Sequence, residues 1–578
     1  MRNNQSKSVQ IKKQREKALA EDRRNILALS PEKAVEAIAE HPYPVTLVQS
    51  MAEEDLYLLV HTIGPDEAHP VLALASNAQW EYLLDMEGWD RDRVDAHALT
   101  EWMQRLLKAD PDRLTHQIAH DKKESFVFYL SKNIDVLVRE YEQDPAEIGD
   151  DFFSEDQTYY VRLRPYPEDQ KTKQKTRDHL VKDMLKRLAV YDYTIFRDML
   201  LECSSLIPAE TEEALYRLRN VRMAEKGFLP FEEAVGVYQP LRTADLLGRQ
   251  RKPEATGGRK VDTHPIRVDA AHGPEHANLF TETLTGIQDR ATLERLQTEF
   301  AGLCNQIIAA DGKKIREKTA LSQVVRKAGD FISIGLHKAA MESAPQKPYR
   351  LASLIQHHYL QDLFRVGYGC ALALKWRADK WRHDSWFEKQ GLPLSFWGES
   401  WLGVLGGLLI KRPLFYDNYA TGVLYREFAT YDDIQNTEAV LKSITAFDDL
   451  LALMEIEPPR SYDILTSQNL ILTLWANHYL EMAGNPKMVH PLTLQQFRVF
   501  FNALWEPDTK PRQIRRQMRE RFLTWLAKRS GLHDYEISER MGLALEQLFN
   551  QIEDELGGVE ARDLNPNFIY LFLFRPAE

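Results

Sequence analysis

Apolar residues recur at helical spacing along most of the chain, and this pattern predicts a mainly α-helical protein. In ILALSPEKAVEAIAEHP, Ser30 stands at an N-cap position, Pro31 at the first helical position, and Pro42 ends the apolar periodicity. We therefore expect an N-terminal α-helical repeat followed by a larger C-terminal helical domain with a few short strands.

Two units near the N-terminus resemble each other at an offset of 24 residues. LVQSMAEEDLYLLV begins at Leu47, VLALASNAQWEYLL begins at Val71, and a looser third copy begins at Leu114. Short helices of this kind do not bury an apolar stripe alone, so successive units are expected to stack. The pattern therefore favours a helical repeat, an architecture that offers extended surfaces to binding partners.

Changes of composition along the chain predict its division into domains. Apolar periodicity is lost in GRQRKPEATGGRKVDTHPIRVDAAHGPEH, where Gly, Pro and charged residues dominate, and this texture is typical of a flexible linker. The expected organisation is a basic tail over residues 1–24, a helical-repeat domain over 25–247, a linker over 248–276, and a helical domain with a Trp-rich segment and a C-terminal strand over 277–578.

Two segments have the alternating or continuous apolar character of strands. YYVRLRP, which begins at Tyr159, predicts a short strand between the helical stretches. The apolar run after Pro566, in NPNFIYLFLFRPAE, predicts either a closing strand or an inserted apolar tail.

Composition indicates whether the chain spans a membrane and in which compartment it folds. The 578 residues are 44% hydrophobic and 28% charged, which is ordinary for globular domains. The longest apolar run, Trp401–Ile410, is too short to cross a bilayer, so no membrane span is expected. The start of the chain has no apolar signal region, and Cys203, Cys304 and Cys370 are widely spaced. We therefore expect a cytoplasmic protein without disulfides.

Charge is unevenly distributed along the chain. The net charge is −12, yet residues 1–24, 248–260 and 510–529 each carry an excess of Lys and Arg. An acidic body disfavours non-specific nucleic-acid binding, while basic islands either are solvated or dock an anionic partner. Nucleic acid is therefore an unlikely partner for this chain.

One string resembles a helix-turn-helix. GLHDYEISERMGLALEQLFNQI places Ile537, Gly542 and Leu548 near the positions that such a motif needs for its core and turn. Its second helix would carry Glu546 and residues 553–555, whose carboxylates repel phosphates. A nucleic-acid-binding regulator is thus a further alternative rather than the main expectation.

Two strings carry a resemblance to known families. DLYLLVHTIGPDEAHPVLALASNAQWEYLLDMEGWDRD and EEALYRLRNVRMAEKGFLPFEEAVGVYQPL resemble a family of uncharacterised bacterial proteins, catalogued as a domain of unknown function, that would cover most of the chain. The first hundred residues are also similar to the helical-repeat module on the cytoplasmic side of bacterial magnesium transporters and in the flagellar switch protein. In those proteins the module mediates regulatory or assembly contacts, so the resemblance implies a role in protein interaction.

Candidate chemistry is sparse. The chain has no Gly-rich phosphate loop and no paired Cys and His ligands at zinc spacing, so we predict no catalytic residues, no metal site and no cofactor. Five of the eleven Trp fall within residues 376–401, interleaved with charged side chains. Trp is enriched in binding hot spots, although the same spacing suits a buried helix face. The candidate binding residues are Trp376, Trp381, Arg382, His383, Trp386, Trp397 and Trp401.

The function expected from these features is a non-catalytic scaffold for protein interaction or regulation, with another protein as its partner. The alternative is a small-ligand-binding protein or an enzyme that uses the Trp-rich C-terminal half.

Overall fold

The computed structural model describes residues 17–140, 143–144, 147–249, 277–343, 351–459, 465–507 and 512–575, and most of them are helical. The predicted mainly α fold is confirmed. The first half contains α1 (residues 17–27), α2 (Pro31–Ala39), α3 (Pro44–Gln49), α4 (Glu53–Ile63), α5 (His69–Leu74), α6 (Asn77–Glu87), α7 (Ala96–Ala109), α8 (Pro111–His120), α9 (Lys123–Asn133), α10 (Lys171–Tyr191), α11 (Tyr193–Ser205), α12 (Pro208–Glu225), α13 (Phe231–Ala234) and α14 (Thr243–Gly248).

The second half contains α15 (Leu279–Thr285), α16 (Arg290–Asp311), α17 (Lys318–Ser343), α18 (Leu351–His357), α19 (Leu360–Asp384), α20 (Trp386–Lys389), α21 (Gly398–Leu409), α22 (Tyr431–Leu453), α23 (Ser467–Tyr479), α24 (Leu494–Leu504), α25 (Arg516–Ser530) and α26 (Asp534–Leu556). The strands are β1 (Trp89–Asp90), β2 (Arg93–Val94), β3 (Ile134–Val138), β4 (Phe152–Phe153), β5 (Tyr159–Leu163), β6 (Phe415–Tyr416) and β7 (Tyr425–Arg426), and 3₁₀ turns span Glu168–Gln170, Val235–Tyr238, Leu394–Trp397 and Pro566–Phe568.

The N-terminal repeat has a consistent form. The pairs α3–α4 and α5–α6 each consist of a six-residue helix followed by an eleven-residue helix. Ser76 caps α6 in a capping box with Gln79, whose side-chain amide also donates to the carbonyl oxygens of Val48 at 2.8 Å and Met51 at 2.9 Å. The second unit is thereby bonded to the first, as stacked repeats require.

The predicted strand YYVRL is present as β5. It is the central strand of a three-stranded antiparallel sheet in the order β3–β5–β4, with Val136 opposite Val161. The other two sheets are short hairpins, β1–β2 and β6–β7. Strands are therefore few and short in the described residues.

The structure describes only part of the predicted basic tail and of the predicted linker. Residues 17–24 of the basic tail lie in α1, while residues 1–16 and the linker residues 250–276 lie outside the described residues. Helices α13 and α14, which the sequence places in the repeat domain, pack against α16, α17 and α19. One continuous apolar core includes residues from Ile26 to Leu573, so the two halves share a packed interface.

A buried carboxylate joins the two halves. Glu87 at the end of α6 has no exposed surface, accepts a hydrogen bond from the Tyr57 hydroxyl at 2.6 Å, and pairs with Arg316 at 2.7 Å and with His61 at 3.2 Å. Lys314 donates to the Glu87 carbonyl oxygen at 2.6 Å. Burial opposes ionisation, but the adjacent His61 ring and the hydrogen bonds from Arg316 and Tyr57 hold the pKa of Glu87 well below its ordinary value.

Two glycines permit a close helix crossing in the C-terminal half. A Cβ at Gly335 on α17 would lie 2.0 Å from the Leu363 carbonyl oxygen, and a Cβ at Gly367 on α19 would lie 2.0 Å from the Phe331 carbonyl oxygen. Only glycine permits the two backbones to approach this closely. The crossing fixes α19, which carries the first two tryptophans of the Trp-rich segment.

Residues 531–575 correct two expectations. The predicted closing strand is not a strand within the described residues, because only Phe574 forms a β-bridge, to Leu492. The segment is instead the inserted apolar tail, with Phe572 packed on Phe497 at 4.9 Å between ring centroids. The helix-turn-helix interpretation is also wrong, since α26 continues without a turn through Gly542.

Candidate functional site

The structure brings four of the five predicted tryptophans together. Trp381 lies edge-on to Trp397 at 5.6 Å between ring centroids, and Trp397 lies 5.8 Å from Trp401. Trp386 packs on Phe396 at 6.1 Å, beside the same cluster. Trp381, Trp386 and Trp397 are buried, whereas Trp401 is half-buried. These side chains form an aromatic wall rather than an open cage.

The remaining candidate residues lie outside this wall. Trp376 on α19 is 53% exposed and stands apart from the other indoles. Arg382 pairs with Glu388 at 3.2 Å, and His383 is exposed at the end of α19. Neither Arg382 nor His383 lines a cavity beside the tryptophans in the described residues.

Helix α22 positions the start of the cluster. The Asp448 carboxylate accepts hydrogen bonds from the backbone N–H of Trp386 at 3.0 Å and of Phe387 at 2.9 Å. Burial raises the pKa of Asp448, and these two N–H donors oppose the rise. The short helix α20, capped by Ser385, is thereby fixed against α22.

Two grooves flank the aromatic wall. The first, which we call the charged groove, has a volume of about 1090 Å³ and is lined by Trp381 and Trp386. Its charged side chains include both signs; they are Arg377, Lys380, Lys389, Lys442, Arg540, Asp384, Asp448, Asp449 and Glu539. Arg377 and Lys442 both pair with Glu438, so part of this charge is neutralised locally.

The second groove, which we call the amide groove, has a volume of about 640 Å³ and lies against Trp397 and Trp401. Helices α21, α22 and α26, strand β6 and the start of α23 line it. Five side-chain amides face it: Asn436, Gln468, Gln547, Asn550 and Gln551. Within the described part of the chain, none of these five amides makes a side-chain hydrogen bond to another residue.

The charge of the amide groove is one-sided. Its lining includes the carboxylates of Glu399 and Asp554 and, among the described residues, no Lys, Arg or His. A groove of this kind disfavours anions and accepts neutral or cationic groups.

Glycines on α21 shape the floor of the amide groove. A Cβ at Gly403 would lie 2.3 Å from the Tyr416 ring, so glycine there lets the β6–β7 hairpin lie on the helix. The Tyr425 hydroxyl donates to the Gly403 carbonyl oxygen at 3.0 Å and fixes the hairpin. Burial, with a contribution from Glu399, raises the pKa of Tyr416, so its hydroxyl is a neutral hydrogen-bond donor at pH 7.

Comparison with known proteins identifies the family but not an activity. The model of the Family of unknown function (DUF6178) matches residues 11–575. The chain belongs to this family. No curated protein and no solved structure matches the chain. The chemistry of this DUF6178 protein must therefore be argued from its own side chains.

Other features bear on what this DUF6178 protein does. In the part of the chain that the structure describes, no helix combines the length and apolar character needed to cross a bilayer. The same residues contain no group of three or more His, Cys, Asp or Glu side chains placed to hold a metal ion. Burial raises the pKa of Cys203 to about 12 and of Cys370 to about 11, so neither thiol is a ready nucleophile.

The sequence located the aromatic wall but missed the amides. Gln547, Asn550, Gln551 and Asp554 have the i, i+3, i+4 and i+7 spacing of one helix face, and that signal was present in the sequence. A polar face of this kind is equally typical of a solvated helix. Only the tertiary fold shows that this face opposes two tryptophans.

Proposed function

We propose that this DUF6178 protein binds an extended segment of another protein in the amide groove. The observation that carries the proposal is the set of five amides beside the aromatic wall. None of the five has a side-chain hydrogen-bond partner in the described residues. A side-chain amide offers two N–H donors and a carbonyl acceptor, the same groups that a peptide backbone presents in return. Asn and Gln therefore recognise a peptide main chain independently of its side chains.

The spacing along α26 suits an elongated ligand. Gln547 and Asp554 are seven residues apart, which is about 10 Å along a helix at 1.5 Å per residue. Three residues of extended peptide span about 10 Å at roughly 3.3 Å per residue. A row of polar side chains of this length is longer than a ligand with a single small ring requires.

The charge of the groove selects among peptides. Glu399 and Asp554 supply negative charge, and the described lining residues include no cation beside them. A segment with Lys or Arg gains from these carboxylates, whereas an acidic or phosphorylated segment is repelled. Trp401, which is half-buried, supplies flat surface for an apolar or cationic side chain.

This proposal keeps the interaction role expected from the sequence but places it in the C-terminal half. A cytoplasmic location in a bacterium, and a resemblance of the N-terminal repeat to the module of magnesium transporters and the flagellar switch protein, belong to the same proposal. The stacked units α3–α4 and α5–α6 support that part, because such repeats serve as assembly surfaces elsewhere.

A linear-peptide library selected against the full chain tests the proposal. Selected peptides are expected to be neutral or basic, and their affinity, measured by fluorescence anisotropy, is expected to fall at least 10-fold in the double variant Asn550→Ala, Gln551→Ala. The matched control is Gln390→Ala, which removes an exposed amide from the charged groove and leaves the affinity unchanged.

Two results oppose the proposal. Equal affinity for the double variant and for wild type places the peptide elsewhere on the protein. Selection of no peptide, together with binding of neutral saccharides that the double variant abolishes, assigns the groove to a small ligand. Circular dichroism of each variant confirms that helix content is retained.

A further inference from the structure

A third cavity has a lining that shares no residue with the charged groove or the amide groove. It has a volume of about 1100 Å³ and is bounded by the end of α23, the loop over residues 480–490, and α25. His478, His490, Arg521, Trp525 and Lys528 are among its lining residues, and we call it the cation cavity.

The basic stretch that the sequence shows at residues 510–529 explains its charge. Most of the described arginines there have structural partners: Arg512 donates to the Val559 carbonyl oxygen, Arg515 to that of Trp505, Arg516 pairs with Glu520, Arg519 with Glu546 and Glu553, and Arg529 donates to the carbonyl oxygens of Met454 and Pro486. Arg521 and Lys528 make no hydrogen bond or ion pair within the described residues, and both line the cation cavity.

Helix α25 holds these two cations on one face. Arg521 and Lys528 are seven residues apart, with Thr524 between them, and all three line the cavity. Their Cα atoms are separated by about 10 Å of helix rise. Long side chains at this spacing reach two anionic groups of one ligand, or converge on one larger group.

His490, one of the lining residues, has a buried ring nitrogen. The Nε2 atom of His490 is inaccessible to solvent and makes no hydrogen bond in the described residues. Its backbone is fixed by Asn477, which accepts from the His490 N–H at 2.8 Å and donates to the His490 carbonyl oxygen at 2.7 Å. The ring fits because position 484 is glycine, where a Cβ would lie 2.5 Å from Nε2.

Aromatic surface and two carboxylates complete the lining. The His478 ring stacks on Trp525 at 6.0 Å between centroids. Burial and then Lys528 lower the pKa of His478, so its imidazole is neutral at pH 7. Glu520 is neutralised by Arg516 at 2.8 Å, which leaves Glu481 as the opposing charge among the described lining residues.

We infer that the cation cavity binds a small organic anion that carries phosphate groups. A guanidinium donates two parallel hydrogen bonds to phosphate oxygens, and an ammonium adds a point charge. The neutral imidazole of His478 supplies a further N–H donor, and Trp525 and Tyr479 provide apolar surface for the organic part. Arg521 and Lys528 have no carboxylate partner in the described residues, so together they favour a ligand with at least two negative charges. This inference is independent of the amide groove and of its peptide.

Isothermal titration of the full chain with sodium pyrophosphate tests the inference, with sodium phosphate, citrate and a sodium chloride series of matched ionic strength as separate arms. Pyrophosphate is expected to bind saturably and more tightly than citrate. Arg521→Gln and Lys528→Gln are each expected to weaken it at least 10-fold. The matched control is Arg562→Gln, an exposed arginine outside the cavity, which is expected to leave the affinity unchanged.

Three outcomes overturn the inference. Heats that follow only ionic strength show that no specific site exists. Tighter binding of citrate than of pyrophosphate assigns the cavity to carboxylates instead of phosphates. Equal pyrophosphate affinity in Arg521→Gln, Lys528→Gln and wild type places the anion elsewhere. Arg521 and Lys528 are exposed, and circular dichroism confirms that their variants fold.

Discussion

Replacing Gly335 by alanine tests the packing that positions the Trp-rich segment. The new Cβ would lie 2.0 Å from the Leu363 carbonyl oxygen and 3.2 Å from the Gly367 backbone nitrogen. Both neighbours are backbone atoms of α19, so no side chain can rotate away. The helices must separate by roughly 1.4 Å before the contact reaches an ordinary carbon–oxygen distance.

The expected change in the free energy of unfolding of Gly335→Ala follows from two opposing effects. Overpacking in a close-packed core costs about 1–3 kcal/mol, and a clash with backbone belongs at the upper end of that range. Alanine in a helix interior is favoured over glycine by about 0.5–1 kcal/mol. The net loss expected for Gly335→Ala is therefore about 2 kcal/mol.

Gly302 on α16 provides the matched control. It is exposed in a helix interior, and a Cβ there would meet no atom within 4 Å. Gly302→Ala is expected to gain about 0.5–1 kcal/mol from helix propensity alone. The two variants thus differ by about 3 kcal/mol, or about 6 °C in Tm at roughly 2 °C per kcal/mol.

Differential scanning fluorimetry measures the pair, and hydrogen exchange locates the effect. In Gly335→Ala, faster exchange is expected in α17 and α19 rather than in the N-terminal repeat. A Tm for Gly335→Ala equal to or above that of Gly302→Ala would refute the argument that these helices meet through backbone contact.

Three further predictions concern buried groups. Glu87→Gln weakens the charge-assisted hydrogen bonds from Arg316, whose side chain is 52% exposed and stays solvated, so the variant is expected to lower the free energy of unfolding by about 1–3 kcal/mol. Because the pKa of Glu87 is lowered on folding, its contribution is present above its unfolded pKa and is lost as pH falls through the folded value; a Tm that is flat in acid contradicts this. Burial raises the pKa of Asp330 to about 6, so stability should fall as pH rises from about 4 to 6, by about 2–3 kcal/mol. Asp330→Asn keeps an acceptor for Asn278 and should flatten that slope in Tm against pH. Trp376→Ser should leave Tm unchanged while Trp397→Ala lowers it, since only Trp397 is buried; equal shifts would contradict the described cluster.

Periodicity accounts for the parts of the fold that the sequence predicted. The offset of 24 residues between the units at Leu47 and Val71 appears as two helix pairs of equal length. Each unit is divided near its middle, around residues 50–52 and 75–76, into two short helices. An apolar spacing does not distinguish one helix from two that share a buried side.

The tail after Pro566 and the segment around Gly542 show why other expectations failed. Phe572 and Leu573 have β-type character, but they are buried against α23 and α24 and have little strand pairing, so burial rather than hydrogen-bonding decided their structure. Gly542 suggested a turn, yet helix packing on both sides of it keeps α26 continuous.

The sequence predicted the tryptophans of the candidate site but not its amides. The clustering of tryptophans is visible in the sequence, and the structure brings four of them together: Trp381, Trp386, Trp397 and Trp401. The amides come from segments more than 100 residues apart, since Asn436 is on α22 and Asn550 is on α26. Their convergence depends on long-range packing, which local pattern does not contain.

The most direct test of the proposed function is hydrogen exchange of the full chain with and without a saturating basic peptide selected from the library. Binding in the amide groove predicts slower exchange in α21, in β6 and in residues 544–554 of α26, with the N-terminal repeat unchanged. Protection confined to the charged groove, to the cation cavity or to α3–α6 would contradict the assignment of the peptide site to the amide groove.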